Sequence, residues 1–183
     1  MVAFVELDDV AALIRRPVLR TFDLDRTVSD EVVRRLLEAA RWTGSARNRQ
    51  PWRFVTVRDR STLRRLSGLG AYAQFVADAP VVLVLSSVHN EYADSEFDVG
   101  RITQSIVIAA AALGLGSCPA TLFPEENVDA ARSIVDLPAD WRPRHLLALG
   151  YPAIIQMTAS GVPAVPRGRR ELVDLVLEDS PGL

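Results

Sequence analysis

The sequence predicts an α+β fold: a mostly antiparallel sheet wrapped by helices. Helical and strand-like segments do not alternate strictly, as a doubly wound parallel sheet would require. Pro80 to Leu85 is an unbroken apolar run, the pattern of a strand covered on both faces. Ile106 to Leu115 is almost free of polar residues, so its helix belongs at the centre of the core or at a subunit interface.

The elements follow in order. Leu7, Val10, Ala11, Leu13 and Ile14 stand at helical spacing, and Pro17 ends or bends that helix. Ser29-Asp30-Glu31 reads as an N-cap with an acidic first turn, and Val32, Val33, Leu36, Leu37 and Ala40 form the buried stripe behind it. Trp52 to Val57 alternates and is rich in β-branched residues, hence a strand. Residues 61–78 read as helical with a break at Gly68-Leu69-Gly70, and Pro80 to Leu85 as a strand. A polar loop over 87–96 leads into a helix from Asp98 to Leu115. Gly116 opens a loop, Cys118 to Phe123 includes a short strand, and Pro124-Glu125-Glu126 starts a helix with proline in its first turn. His145 to Leu149 is the last core strand. Residues 151–183 are a C-terminal arm, rich in Pro, Gly and Arg up to 170, with Glu171 to Leu177 a terminal helix or strand. The whole of 1–183 is expected to be one domain.

Composition narrows the chemistry. The 183 residues are 49% hydrophobic and carry a net charge of −2, which fits a packed globular core and argues against bulk nucleic-acid binding. No apolar run is long enough to span a bilayer. Residues 1–16 carry acids and no small-residue cleavage site, and Cys118 is the one cysteine, so a cytoplasmic location is expected. All 21 basic residues are arginine. That excludes a P-loop lysine, a Schiff-base lysine and a lysine general base, and leaves phosphate contacts to arginine forks and backbone N–H groups.

Ser45-Ala46-Arg47-Asn48-Arg49-Gln50-Pro51-Trp52 is the densest polar constellation. It sets a hydroxyl, two carboxamides and two cations between a helix and a strand. Carboxamides donate and accept together, so the loop suits a ligand with mixed polar edges. Arg16 and Arg20 flank Pro17-Val18-Leu19, and Arg167 and Arg169 lie in the arm; if the arm folds back, the guanidinium groups surround one phosphate. Other motifs carry less. Gly114-Leu115-Gly116 lacks the third glycine of a dinucleotide fingerprint and follows a helix, so Gly116 reads as a helix terminus. His89, His145 and Cys118 match no zinc spacing, and no Gly-x-Ser-x-Gly elbow is present. His145 reads as a core or edge histidine, and His89 as a polar-loop residue that could stand on the substrate side. Glu91, Asp94, Glu96 and Asp98 read as a solvated acidic loop before a helix N-terminus rather than a cation site.

These blocks together resemble the FMN-dependent nitroreductase family. Arg16-Pro17-Val18-Leu19-Arg20-Thr21-Phe22 is similar to the family's Arg-Arg-Ser-Val-Arg-x-Phe, and Ser45 to Trp52 to its Pro-Ser-Ala-x-Asn-x-Gln-Pro-Trp. Asp98-Val99-Gly100 through Gln104 to Ala110-Ala111-Ala112-Leu113-Gly114-Leu115-Gly116-Ser117, and Leu149-Gly150-Tyr151-Pro152 before the basic arm, follow in the family's order. The resemblance implies a nitroreductase-like homodimer with FMN at the interface. NAD(P)H would be the reductant, and the substrate a small-molecule electron acceptor such as a nitroaromatic or quinone, reduced by ping-pong hydride transfer. It also implies that Arg16, Arg20, Arg167 and Arg169 hold the phosphate and ribityl end. Ser45, Asn48 and Gln50 would reach the ring, partly from the partner, with backbone N–H groups at Thr121 and Leu122 along its N5 edge. No catalytic side chain is implied, and neither nucleic acid nor membrane is an expected partner. Val18, Gly44 and Thr121 depart from the family pattern, where a hydroxyl, a proline and a glycine are usual. A flavin dehydrogenase or dehalogenase, a fold that has lost FMN and binds another ligand, and a generic anion-binding module remain open alternatives.

Overall fold

A computed structural model describes residues 5–88, 92, 94–153 and 168–177. Its centre is a four-stranded sheet in the order β1-β2-β4-β3, with every neighbouring pair antiparallel. The strands are β1 (Trp52–Val57), β2 (Val81–Val88), β3 (Gly116–Thr121) and β4 (Trp141–Gly150). The helices are α1 (Leu7–Ile14), α2 (Asp30–Ala40), α3 (Arg60–Ser67), α4 (Asp94–Ala112) and α5 (Glu125–Ile134).

The apolar run of β2 is buried on both faces, and its alternation sorts it into two cores. Val82 and Val84 face one side, where Leu146 and Ala148 of β4 meet Leu63 and Leu66 of α3 and Val128 and Ala131 of α5. Val81, Leu83 and Leu85 face the other, where Leu147 and Leu149 meet Leu36 and Ala40 of α2 and Val99, Ile102, Ile106 and Ala110 of α4. Each fully buried leucine or valine contributes roughly 1.5–3 kcal/mol of transfer free energy. The sheet is thus a rigid plate between two helical layers, and α4 lies in the second.

Local chemistry sets the helix ends. Ser29 Oγ accepts from the Val32 N–H at 3.3 Å, the expected cap of α2. At α3, Asp59 Oδ2 accepts from the Thr62 N–H at 2.8 Å and from the Ser61 and Thr62 hydroxyls. Those hydrogen bonds, the Ser61 hydroxyl first, lower the Asp59 pKa to about 2. α4 ends in a Schellman turn: the Leu115 N–H reaches the Ala110 carbonyl at 2.9 Å and the Gly114 N–H reaches Ala111 at 3.0 Å. Gly114, at φ 77°, supplies the left-handed residue this turn needs.

β3 lies at one side of the sheet, and the chain around 16–22 covers its outer edge. The Leu19 N–H donates to the Ser117 carbonyl at 2.9 Å, and Phe22 bridges to Pro152. A sheet edge covered this way is withdrawn from pairing with other chains. Gly116 makes the close approach feasible, because a Cβ there would stand 2.2 Å from Leu19 Cδ2.

Several boundaries differ from the sequence reading. β2 runs on through Ser86, Ser87 and Val88, and α4 begins at Asp94, so the loop expected at 87–96 is shorter. Gly114, not Gly116, terminates α4; Gly116 is the first residue of β3, because the Schellman turn needs only one left-handed residue. Pro124 is the N-cap residue of α5 rather than part of its first turn. Of the terminal stretch 171–177, only Leu172–Asp174 forms a 3-10 turn.

Candidate active site

A cavity of about 420 Å³ opens between α4 and β3, closed by the chain around residues 14–19 and by the C-terminal arm. Its apolar wall includes Val107, Leu115 and Pro119; Gln104 and Ser117 add polar side chains. Arg16 and Arg169 both line it, from opposite ends of the chain. Arg16 is fixed there because its Nη1 donates to the Ala111 carbonyl at 3.0 Å, one of the carbonyls at the C-terminal end of α4. A guanidinium is favoured there by the helix dipole as well. Arg169 Nη1 donates to the Gly168 carbonyl at 2.9 Å. Val18 also lines the cavity.

Arg20 goes elsewhere. Between Leu19 and Phe22 the chain crosses the edge of β3, and Phe22 is already buried in the first core. Arg20 therefore lies over the Phe75 ring at 5.8 Å and beside the Cys118 thiol, on the opposite face of the sheet. Burial pushes the Cys118 thiol up, and Arg20 works against that shift. Arg167 and His89 lie outside the described residues.

The loop from Ser45 to Gln50 is held in an unusual backbone shape. Arg47, Asn48 and Gln50 all have positive φ, at 51°, 55° and 50°. Such conformations cost of order 1 kcal/mol or more each outside glycine and persist only where the surroundings impose them. Here they do. Ser45 Oγ accepts from the Gln50 N–H at 2.8 Å, and Gln50 Nε2 donates to Asn48 Oδ1 at 3.2 Å. Asp98, only 1% exposed, accepts from the Ala46 N–H at 2.9 Å. Arg49 pairs with Asp94 and stacks over Tyr92 at 4.2 Å.

The acids expected to form a solvated loop are thus mostly engaged: Asp94 and Asp98 brace the binding-type loop, and Glu96 enters a network described below. Glu91 lies outside the described residues. Among the described residues, no three His, Cys, Asp or Glu side chains are grouped to hold a metal.

The loop and the cavity occupy different flanks of α4. Asp94, Asp98, Arg101 and Ser105, spaced by four and three residues, face the loop segment, where Thr43 Oγ1 donates to Ser105 Oγ at 2.7 Å. Gln104, Val107 and Ala111 face the cavity. Between these stripes runs an exposed strip that includes Phe97, 70% exposed. Within one chain, α4 therefore keeps Asn48 and Gln50 away from Arg16 and Arg169.

Thr121 and Leu122 part company. Leu122 is buried in the first core, and its N–H donates to the Arg144 carbonyl at 2.8 Å. The Leu122 amide expected to face a ligand is therefore committed to β4. Thr121 shares the alternation of Ser117 and Pro119, which places it on the cavity side of β3. Its Oγ1 lies 3.1 Å from His145 Nδ1, and His145 Nε2 lies 3.1 Å from Glu96 Oε2. Ser87 donates to Glu96 Oε1. The bond from His145, then that from Ser87, hold the Glu96 carboxyl below its ordinary range against partial burial. Neither His145 nor Glu96 stood out in the sequence. The antiparallel pairing of Thr121 with His145 is what brings them together.

Comparison with known proteins identifies the class. The model of the nitroreductase family matches residues 13–69 and 68–151, so the chain belongs to the nitroreductase family and is an oxidoreductase. A relative from Methanothermobacter thermautotrophicus, provisionally named NADH dehydrogenase/NAD(P)H nitroreductase, is 32% identical over 152 residues, covering 81% of this chain and 79% of the relative. An NADH dehydrogenase of Thermus thermophilus is 31% identical over 190 residues, covering 80% of this chain and 88% of that protein. The fold superposes on a crystal structure from Parabacteroides distasonis with a TM-score of 0.79 at 22% identity, covering 96% of this chain and 99% of that one. An FMN-dependent nitroreductase from Clostridium difficile gives a TM-score of 0.71 at 22% identity, over 81% of this chain and 90% of that one.

Proposed function

We propose that this protein is an FMN-dependent oxidoreductase that uses NAD(P)H to reduce small electron-poor acceptors such as nitroaromatics or quinones by a ping-pong exchange. The family is FMN-dependent with NAD(P)H as reductant. The observation that carries the reading for this chain is the meeting of Arg16 and Arg169 in one cavity between α4 and β3. No helix among the described residues is long and apolar enough to cross a membrane, and a cytoplasmic location is part of this proposal.

The donor set fits the group. Two guanidinium groups suit a phosphate, Gln104 and Ser117 suit a polyol, and the apolar wall suits a flat ring system. Bound FMN would supply the electron-transfer chemistry itself. The chain supplies orientation: Arg16, anchored on α4, fixes the phosphate end, and the cavity wall excludes water from one side. This reading makes no use of Arg20, which faces the other side of the sheet.

Asn48 and Gln50 reach the same ligand only from a second copy. Their loop lies on the far flank of α4, and the exposed strip around Phe97 lies between the two flanks. Packing two such strips together would bring each loop towards the other copy's cavity, a closed twofold arrangement. The exposed apolar side chains Leu172, Val173 and Leu177 of the arm add surface for the same contact.

The test is a spectrum and a sizing run. Purified protein should acquire flavin absorbance near 450 nm on titration with FMN, bleach anaerobically with NAD(P)H, and elute as a dimer. Elution as a monomer with no flavin binding overturns the reading.

A further inference from the structure

The network at Thr121 has a defined proton order. Glu96 is an acceptor, being ionised and already taking the Ser87 hydroxyl. His145 Nε2 must therefore carry the hydrogen that lies on Glu96 Oε2. In a neutral ring, that leaves Nδ1 bare, and the Thr121 hydroxyl must donate to it. Thr121 then shows only lone pairs to its surroundings. When His145 takes a second proton, Nδ1–H donates to Thr121 Oγ1 instead, and the threonine turns its O–H outward.

Thr121 is the next residue of the row on β3 whose members Ser117 and Pro119 line the cavity. Glu96 continues the Val107–Ala111 side of α4. We propose that Glu96 and His145 are positioning residues that set the hydrogen-bond polarity of Thr121, making it a donor to the ligand in the cavity when His145 is charged and an acceptor when it is neutral. The inference rests on the FMN reading above for the identity of that ligand. An oxidised flavin offers an unprotonated ring nitrogen that accepts a hydrogen bond; the reduced ring offers an N–H that donates one. The charged network thus favours the oxidised ligand and the neutral network the reduced one.

Two cationic groups act on Glu96, His145 by its hydrogen bond and charge and Arg144 by its charge alone. On β4, Arg144 donates to Glu125 of α5 at 2.8 Å and Arg142 pairs with the same carboxylate. On α4, Asp94 is paired with Arg49, and Asp98 with the Ala46 amide and Arg101. β2 contributes the Ser87 hydroxyl and β3 contributes Thr121.

Two measurements decide it, with the full-length protein and FMN as the probe. Nitrogen NMR of histidine-labelled protein without FMN should show His145 as the Nε2–H tautomer when neutral, a preference weakened in Glu96→Gln. An Nδ1–H tautomer overturns the proposal. Second, the Kd for oxidised FMN should be several-fold lower at a pH where these spectra show His145 charged than at a pH where they show it neutral. The trend should vanish in Thr121→Val and in His145→Gln, while Thr121→Ser preserves it. Equal pH dependence in wild type and Thr121→Val overturns this inference alone. Absence of FMN binding by wild type at every pH overturns the cofactor reading, and leaves the tautomer to be judged by the NMR.

Discussion

The buried carboxylate of Asp98, in the first turns of α4, accepts the backbone N–H of Ala46 at 2.9 Å and so ties the polar loop to the longest helix of the fold. Arg101 reaches the other oxygen of the same carboxylate at 3.2 Å. With the Ser45–Gln50 and Arg49–Asp94 contacts, this side chain holds a loop in which three non-glycine residues have positive φ.

Asp98→Ala should leave that amide without its partner and cost about 1–3 kcal/mol of stability, read from the denaturant midpoint. FMN affinity should fall as well, because Asn48 and Gln50 lose their imposed geometry. Asp98→Asn should retain most of both. A midpoint unchanged in the alanine variant would contradict the bracing role.

Removing Arg16 should weaken FMN binding by roughly 10–100-fold, the range of one or two charge-assisted hydrogen bonds at about 1.5–3 kcal/mol. Arg169→Ala should act in the same direction. Arg20→Ala, facing the other side of the sheet, should leave the Kd nearly unchanged. Fluorescence quenching of FMN on titration measures all three, and equal losses for Arg20 and Arg16 would undo the assignment.

A methyl group at Gly116 would collide with Leu19, at 2.2 Å from its Cδ2 and 2.7 Å from its Cβ. Gly116→Ala should therefore push the 16–19 segment off β3 and cost about 1–3 kcal/mol as overpacking does. The Arg16 contact should suffer with it, so thermal stability and FMN affinity should drop together. Leu19→Ala in the same chain should recover part of the loss.

The acid limb of stability should carry the mark of Asp59. Its pKa is depressed from 3.8 unfolded to about 2 folded, so the ionised cap stabilises the protein above the first value. That contribution is lost as pH falls through the second. Asp59→Asn also caps α3 but does not titrate. The stability difference between wild type and variant should be constant above the unfolded pKa and shrink below it, as followed by urea unfolding at successive pH values. A difference that stays level down to the folded pKa would rule the linkage out.

Much of the fold was legible because it rests on local signals. Ser29 caps α2 as its sequence position suggests, Trp52–Val57 is β1, and the apolar run after Pro80 is a strand buried on both faces. The site was legible in part. Arg16 and Arg169 reach one cavity, but residue type alone did not reveal that the chain crosses the edge of β3 and carries Arg20 away. Leu122 was placed beside the ligand on position, yet alternation along β3 turns it into the core. Glu96 and His145 lie 49 residues apart; the register of β3 with β4 sets His145 opposite Thr121, and the packing of α4 on the sheet brings Glu96 to His145. Periodicity shows which face a residue takes within an element; it is silent on which elements meet.

The placement of α4 between Asn48 and Arg16 has a genetic corollary. If each pocket is completed by its neighbour, a chain defective at Arg16 and a chain defective at Asn48 can associate to form one intact pocket and one doubly damaged pocket. Put both lesions on a single polypeptide and pair it with a normal one, and neither pocket is whole. Co-expression would therefore rescue the separated lesions and spread the harm of the combined ones, an inheritance pattern dictated by one helix.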